Sequence, residues 1–393
     1  EFFDKLALLW QEKNHPIKRY NSLGLSFLIN WLKENNLNQI SDISLKSQRK
    51  YLDDFKSTSD NSKILLKAQS KGLVCHWIAG NVPILGFISL VQGILTKNLN
   101  IVRVSKTFGS ILPYMLDTFN EIEFRNKEGI LISGSNIAKT ICVLYYDKKD
   151  KSVGEILSLN SDVRVVWGGK EAVESIIGLK KRIDTYDIVF GPKYSFAVID
   201  KTFLENSKSS KLISQKLAFD ISSFDQNGCN SPHTLFVENS DTSIVESFCE
   251  NLGKSLAEVL RVIPKENLQA GITTKILEAR AKYGFSGRVI SSDGTDWTVL
   301  YSESEKGMAN PCYGRTIFVR RVDNIADVLA YVSKDHQTVG LAVHQSLKNK
   351  FSEELTQRGI LRCPDLGSMS LYEVPWDGIF PMERMIKWVY FYA

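Results

Sequence analysis

The sequence predicts an α/β protein of two units, the first built on a doubly wound parallel sheet. Three observations carry this. From Gly72 to Phe190 short apolar runs rich in Val and Ile alternate with longer stretches of helical spacing, the pattern of a parallel sheet covered by helices. Each of three runs stops at a turn, at Gly80, Ser105 and Gly168, and sheets of this kind bind ligands at the carboxyl ends of their strands. Finally, 393 residues exceed what one simple core organises, and after Pro192 a second series of strands and helices begins.

The elements follow in order. Apolar residues at helical spacing (Leu6, Leu9, Trp10, then Leu25, Leu28, Leu32) predict helix over Phe2–Leu32. Asn35–Ser62 reads as polar and irregular. Gly72–Ala79 is a compact apolar strand broken by Gly80-Asn81-Val82-Pro83, and Ile84–Thr96 a largely apolar helix. Asn100–Val104 is the second strand, followed by a helix over Ser110–Glu121. Thr140–Tyr146 is the third strand, Val153–Leu159 a short helix, and Val163–Trp167 the fourth strand. Gly168-Gly169 then lead into a helix over Lys170–Leu179, and Asp187–Phe190 is the fifth strand. In the second unit, strands are expected at Ser195–Asp200, Leu235–Val237, Thr316–Arg320 and Val339–Val343. Helices are expected at Ser207–Phe219, Ser243–Leu260, Ala326–Ser333 and Leu347–Arg358. The end, Pro381–Tyr390, is rich in aromatics.

Composition excludes several classes. A hydrophobic share of 43% and a charged share of 24% are ordinary for a globular chain. The net charge of +5 is spread among mixed signs, as in Lys180–Asp184, so nucleic-acid binding is not expected. No apolar run reaches the ~20 residues of a membrane span, no secretory signal is visible, and the six cysteines show no C-x-x-C spacing. A cytoplasmic protein without metal is the expectation. The sequence opens at Glu1 without Met, so an N-terminal piece is expected to be missing.

The chemistry centres on Phe219–His233. Cys229 lies there among turn formers, Asn227, Gly228, Asn230, Ser231 and Pro232. A thiolate on such a loop can attack a carbonyl while loop N–H groups hold the oxyanion; a loop cysteine without a role is the bland reading. His233 is near enough in sequence for a Cys–His pair to be conceivable. Cys75, Cys142 and Cys249 lie in strand- or helix-like runs and are expected in the core, as is His76. Gly168 and Gly169, between a strand and a helix, suit a phosphate at a helix N-terminus, or simply a tight turn. Arg103, Ser105, Lys106 and Thr107 close the second strand with two cations and two hydroxyls, either a ribose or phosphate reader or a polar turn. Asn81 can donate to an oxyanion or form an Asx-type turn.

Six separated segments then occur in one order: Ala79-Gly-Asn-Val-Pro-Ile, Val165-Val-Trp-Gly-Gly, Phe190-Gly-Pro-Lys-Tyr-Ser, Phe224-Asp-Gln-Asn-Gly-Cys-Asn-Ser-Pro, Gln337-Thr-Val-Gly and Pro375-Trp-Asp-Gly. Together they resemble the aldehyde dehydrogenase superfamily, and more closely its LuxC-type acyl-CoA reductases, from Gly72 to the C-terminus. The resemblance implies two Rossmann-type α/β domains with the active site between them: a cofactor domain over residues 1–192, a catalytic domain over 193–375 and a tail over 376–393. It implies Cys229 as nucleophile, Asn81 as oxyanion donor, Gly168 and Gly169 at the cofactor pyrophosphate, and Arg103, Ser105 and Lys106 at the adenosine ribose. Ordinary members carry a glutamate where Lys106 stands; a cation there favours NADPH over NADH.

Val189 occupies the place of the glutamate that activates water in hydrolytic members, and the cofactor-contacting glutamate expected near Pro311-Cys312-Tyr313 is absent. The expectation is therefore reduction of an acyl-CoA or acyl-protein thioester to the aldehyde. Two alternatives are the reverse, CoA-acylating reaction and a non-reducing acyl carrier for an acyl-protein synthetase. A hydrolase using His233 is the third. A synthetase partner and a homo-oligomer are also expected.

Overall fold

The computed structural model describes residues 1–57, 59, 63–80, 82, 84–106, 109–239, 241–265 and 270–393. The chain divides into two compact units, Glu1–Pro192 with Tyr372–Ala393, and Lys193–Leu371.

The first unit opens with α1 (Phe2–Gln11), a 3₁₀ segment Pro16–Leu23, α2 (Leu25–Trp31) and α3 (Glu34–Ser44). The helix α3 falls where the sequence reads as irregular. Its polar face hides the two apolar residues that anchor it, Leu37 and Ile40, both buried. Strands β1 (Lys56–Ser57) and β2 (Ile64–Ser70) follow. The main sheet begins at β3 (Leu73–Trp77), then α4 (Ile84–Leu95) and β4 (Leu99–Arg103). Next come α5 (Ile111–Asp117), extended as 3₁₀ over Thr118–Glu121, the hairpin β5 (Glu123–Arg125) and β6 (Leu131–Ser133), and α6 (Gly134–Ala138). The sheet resumes with β7 (Ile141–Leu144), α7 (Lys151–Asn160), β8 (Val163–Trp167), α8 (Lys170–Ile177) and β9 (Tyr186–Phe190).

All five sheet strands are parallel, in the order β7-β4-β3-β8-β9. The chain grows outward from β3 on one side, then returns to β3's other side with β8. That reversal is the switch point at which doubly wound sheets take ligands. The turns after β3, β4 and β8 all lie at this carboxyl edge, as the sequence predicts. His76 is the satisfied core residue that its apolar strand implies: Nδ1 meets Ser89 Oγ at 2.8 Å and Nε2 meets Asn100 Oδ1 at 3.1 Å.

The second unit comprises β10 (Tyr194–Ile199), α9 (Ser207–Ser222), β11 (Pro232–Glu238), α10 (Thr242–Val262), α11 (Ala270–Ser286), β12 (Arg288–Ser291), β13 (Thr298–Tyr301), β14 (Thr316–Val322), β15 (His336–Ala342) and α12 (Gln345–Gln357). The sheet order is β12-β13-β14-β11-β10-β15, parallel except for the β12–β13 pair. β11 is buried along its whole length, which is why it carries no polar alternation. The segment Ile325–Tyr331 is a 3₁₀ helix with a capping box between Asn324 and Asp327.

The C-terminal residues return to the first unit. Tyr372 accepts from Trp31 Nε1 at its carbonyl and from Gln92 at its hydroxyl. After α13 (Pro381–Arg384), β16 (Ile386–Tyr392) pairs antiparallel with β2 over seven residues. Among the described residues no helix is long and apolar enough to cross a membrane.

Candidate active site

In the first unit the predicted cofactor residues gather at the carboxyl edge of the sheet. Gly168 and Gly169 join β8 to α8. The Gly168 N–H is spent on the Phe190 carbonyl at 3.2 Å, and a Cβ on Gly168 would sit tightly against the Ala172 Cβ at 3.1 Å. Gly169 is the N-cap of α8 and no side chain caps the helix. A Cβ on Gly169 would meet nothing within 4 Å. The first N–H groups of α8 therefore face an approachable surface with the positive end of the helix dipole behind them.

Ser105 follows β4. Its Oγ is buried with no hydrogen-bond partner among the described residues, and it lies so near Gly80 that a Cβ there would approach it to 2.8 Å. A narrow cleft of about 20 Å³ opens beside it, lined by Ile78, Gly86, Val104, Ser105, Leu112 and Met115. An orphaned hydroxyl in a mostly apolar cleft is unusual in a finished core and suits a polar ligand atom. Lys106 is exposed and forms no ion pair among the described residues. Arg103 is half-buried and turned toward β7: its guanidinium donates to the Tyr146 carbonyl at 3.4 Å and lies 5.4 Å from that ring's centre. Asn81 lies outside the described residues. Val189, in β9, packs against the apolar cluster of Cys75, Trp77, Leu157, Val166 and Val173.

The Cys229 loop lies in the second unit, between α9 and β11. Its approach is strained. Phe224, Asp225 and Gln226 have φ of 52°, 50° and 63°, three successive left-handed residues of which none is glycine; each costs of order 1 kcal/mol or more. A second such run, Tyr313, Gly314 and Arg315, has φ of 63°, 63° and 60°. The two runs hold each other. The Gly314 N–H donates to the Asp225 carbonyl at 3.2 Å, and Arg315 Nε donates to Asp225 Oδ1 at 2.6 Å in a buried ion pair. Arg315 also donates to the Ile263 and Pro264 carbonyls, and Lys265 Nζ to the Gly314 carbonyl at 2.9 Å. Gln226, fully buried, donates to the Pro232 and Thr316 carbonyls and accepts the Thr316 N–H at 2.7 Å.

Past the strained run the chain is pinned again. Ser195 Oγ donates to the Cys229 carbonyl at 2.7 Å and accepts the Thr338 N–H at 3.2 Å. Asn230 Nδ2 donates to the Met369 carbonyl at 2.7 Å. A Cβ on Gly228 would meet Asn230 Oδ1 at 2.5 Å, so a side chain there would have to displace the Asn230 amide. Cys229 itself is half-buried. Of these supports, Asp225, Gln226 and Arg315 are not legible as functional in the sequence, because their partners are distant and their residue types do not favour left-handed backbone.

The other cysteines differ. Burial pushes Cys75 up to about 11, Cys249 to about 12 and Cys363 to about 11, and raises Cys312. Cys142, expected in the core, is instead exposed on β7, because β7 is an edge strand of its sheet. His233 starts β11, buried; desolvation lowers it to about 4, so the ring is neutral near pH 7. It packs edge-on against Tyr313 with centres 5.0 Å apart. Among the described residues no group of three His, Cys, Asp or Glu is placed to hold a metal ion.

A family model described as Acyl-CoA reductase (LuxC) matches residues 4–388. The long-chain acyl-protein thioester reductases of Vibrio harveyi and Aliivibrio fischeri are 28% and 25% identical to 82% of the chain. The chain spans 65% and 64% of their lengths, less than two-thirds. Among solved structures, proline utilization A of Bradyrhizobium japonicum superposes with a TM-score of 0.70 at 14% identity, over 99% of this chain and 42% of that one. Lactaldehyde dehydrogenase from Escherichia coli superposes with 0.65 at 14% identity, over 100% and 86%. The fold is that of the aldehyde dehydrogenases.

Proposed function

This chain belongs to the acyl-CoA reductase (LuxC) family, and from that premise we propose that it reduces a fatty acyl thioester to the aldehyde through an acyl group held on Cys229. The observation that carries the reading is the loop: two left-handed runs, cross-clamped by Asp225 and Arg315, present a half-buried cysteine. Backbone strain of this kind persists only where surrounding contacts over-determine it, and it concentrates at functional sites. The relatives named acyl-protein thioester reductases supply the substrate class.

The Cys229 thiolate attacks the thioester carbonyl. Its electron pair forms the new C–S bond, and the tetrahedral oxyanion collapses to expel the donor thiolate, leaving an acyl-enzyme. The loop N–H groups stabilise the oxyanion. The nicotinamide cofactor that this reading needs fits the first unit: Gly168, Gly169 and the uncapped start of α8 would hold its pyrophosphate, and Ser105, Lys106 and Arg103 its adenosine ribose, with Lys106 and Arg103 favouring the 2′-phosphate of NADPH. When bound, NADPH supplies the hydride. The resulting thiohemiacetal on Cys229 releases the aldehyde as its C–S electrons return to sulfur.

The test is to load the protein with a radiolabelled long-chain acyl-CoA without nucleotide and follow the label. Label stable on Cys229, absent in Cys229→Ser, and chased into aldehyde by NADPH is the expected result. Rapid release as free acid would overturn the reductase reading in favour of hydrolysis. Stable label that NADPH does not chase would mark a non-reducing acyl carrier.

A further inference from the structure

The carboxylate of Asp220 lies nine residues before Cys229 in the sequence, on the helix that leads to the cysteine loop. Asp220 is fully buried near the C-terminus of α9, where the helix dipole disfavours an anion. Its oxygens are nevertheless fully used. Oδ2 accepts the Gly367 N–H at 2.6 Å and Oδ1 the Met369 N–H at 3.1 Å. Gly367 has φ 90° and its Cα lies against Lys216 of α9, so the turn 367–369 is seated on the helix by this carboxylate.

The same residue, Met369, faces the catalytic loop with its other backbone group. Its carbonyl accepts Asn230 Nδ2 at 2.7 Å and Arg362 at 3.4 Å, and its side chain is fully buried against Gly340 of β15. Asn230 directly follows Cys229. One residue thus joins a buried carboxylate to the neighbour of the nucleophile: Asp220 holds the Met369 N–H, and the Met369 C=O holds Asn230.

We propose that Asp220 is a positioning residue for the acylation step, its ionised carboxylate setting the 367–369 turn and, through the Met369 carbonyl and Asn230, the attack geometry of Cys229. The inference rests on the proposed role of Cys229. Protonating one oxygen removes an acceptor from one of the two N–H groups, and the turn loosens. The charged groups acting on Asp220 are Lys216, on its own helix, and Arg362, after α12; both favour the anion, whereas burial opposes it and leaves the carboxyl titrating at about 7. The tight loop therefore belongs to the alkaline side of that value, and acylation slows as pH falls through it.

The experiment is single-turnover acylation of the full chain by a radiolabelled long-chain acyl-CoA, as a function of pH, in wild type, Asp220→Asn, Asn230→Ala and the double variant. In wild type the rate shows an ionisation near 7 besides that of the attacking thiol. Asp220→Asn and Asn230→Ala each lose that ionisation and acylate about ten-fold more slowly at neutral pH, a modest share of what misplaced attack can cost. The double variant is no slower than the worse single, as for residues acting in series. Asn230→Ala leaves both hydrogen bonds of Asp220 in place, so it tests the relay even if Asp220→Asn fails to fold. Label on Cys229 with the ionisation retained in Asn230→Ala, or losses that multiply in the double variant, overturns the relay while leaving the proposed function standing. Label that never reaches Cys229 overturns both.

Discussion

Replacing Arg315 by methionine cuts the clamp on which the Cys229 loop depends. The side chains of Arg315 and Asp225 are 1% and 10% exposed and meet at 2.6 Å. The substitution leaves the Asp225 carboxylate buried without that cation, and two carbonyls, of Ile263 and Pro264, without the guanidinium donor. Removing one partner of a buried pair costs roughly 3–5 kcal/mol, most of it the uncompensated charge. Arg315→Met is therefore expected to lower the stability of the second unit by about 3 kcal/mol or more. Adding Asp225→Asn removes the charge and should restore about 2 kcal/mol of that loss. Activity behaves differently. Both variants release the left-handed runs from each other, so both should acylate Cys229 about 100-fold more slowly, and the double variant should recover stability but not rate. Urea unfolding followed by circular dichroism, with single-turnover acylation alongside, measures both. An Arg315→Met protein within 1 kcal/mol of wild type, a threshold set by the cost of an ordinary substitution, would refute the clamp. So would a double variant whose losses simply add.

Lys106→Glu should weaken NADPH far more than NADH, by about ten-fold or more in relative affinity, and equal losses measured by fluorescence titration would remove Lys106 from the cofactor site. His76 and His233 are both lowered to about 4 by burial. The fold favours their neutral rings, so their contribution is complete above the unfolded value of 6.5 and is lost as pH falls from there toward 4, about 3 kcal/mol for each at the acid end. Unfolding midpoints that stay constant across that window would contradict this.

The sequence exposes the sheets more readily than their supports. β8 is legible because Val163–Trp167 is apolar throughout and bounded by Gly168; a fully buried parallel strand has no polar face to confuse the reading. Helix α11 is not, because only Ile276 and Tyr283 are buried on it, too few to set a period. β12 and β13 are four residues each, shorter than a reliable strand pattern. The cysteine loop shows in its turn formers, yet its left-handed approach does not: Phe, Asp and Gln are poor left-handed residues, and what holds them there comes from Arg315, 90 positions on.

That distance has a consequence for how the site is kept. A loop whose conformation followed from its own residues would tolerate change elsewhere. This one stores strain at Phe224, Asp225 and Gln226 and offsets it with contacts from three separate stretches: Ser195, Tyr313–Thr316 and Met369. Asp225, Gln226 and Asn230 reach out from the loop by side chain. Several of the opposing groups are backbone atoms, whose placement depends on turns held by Lys265 and Asp220. Substitutions at those two distant side chains should therefore disturb Cys229 chemistry without touching the loop. Remote control of the nucleophile is the physical cost of building it on a left-handed backbone with ordinary residues.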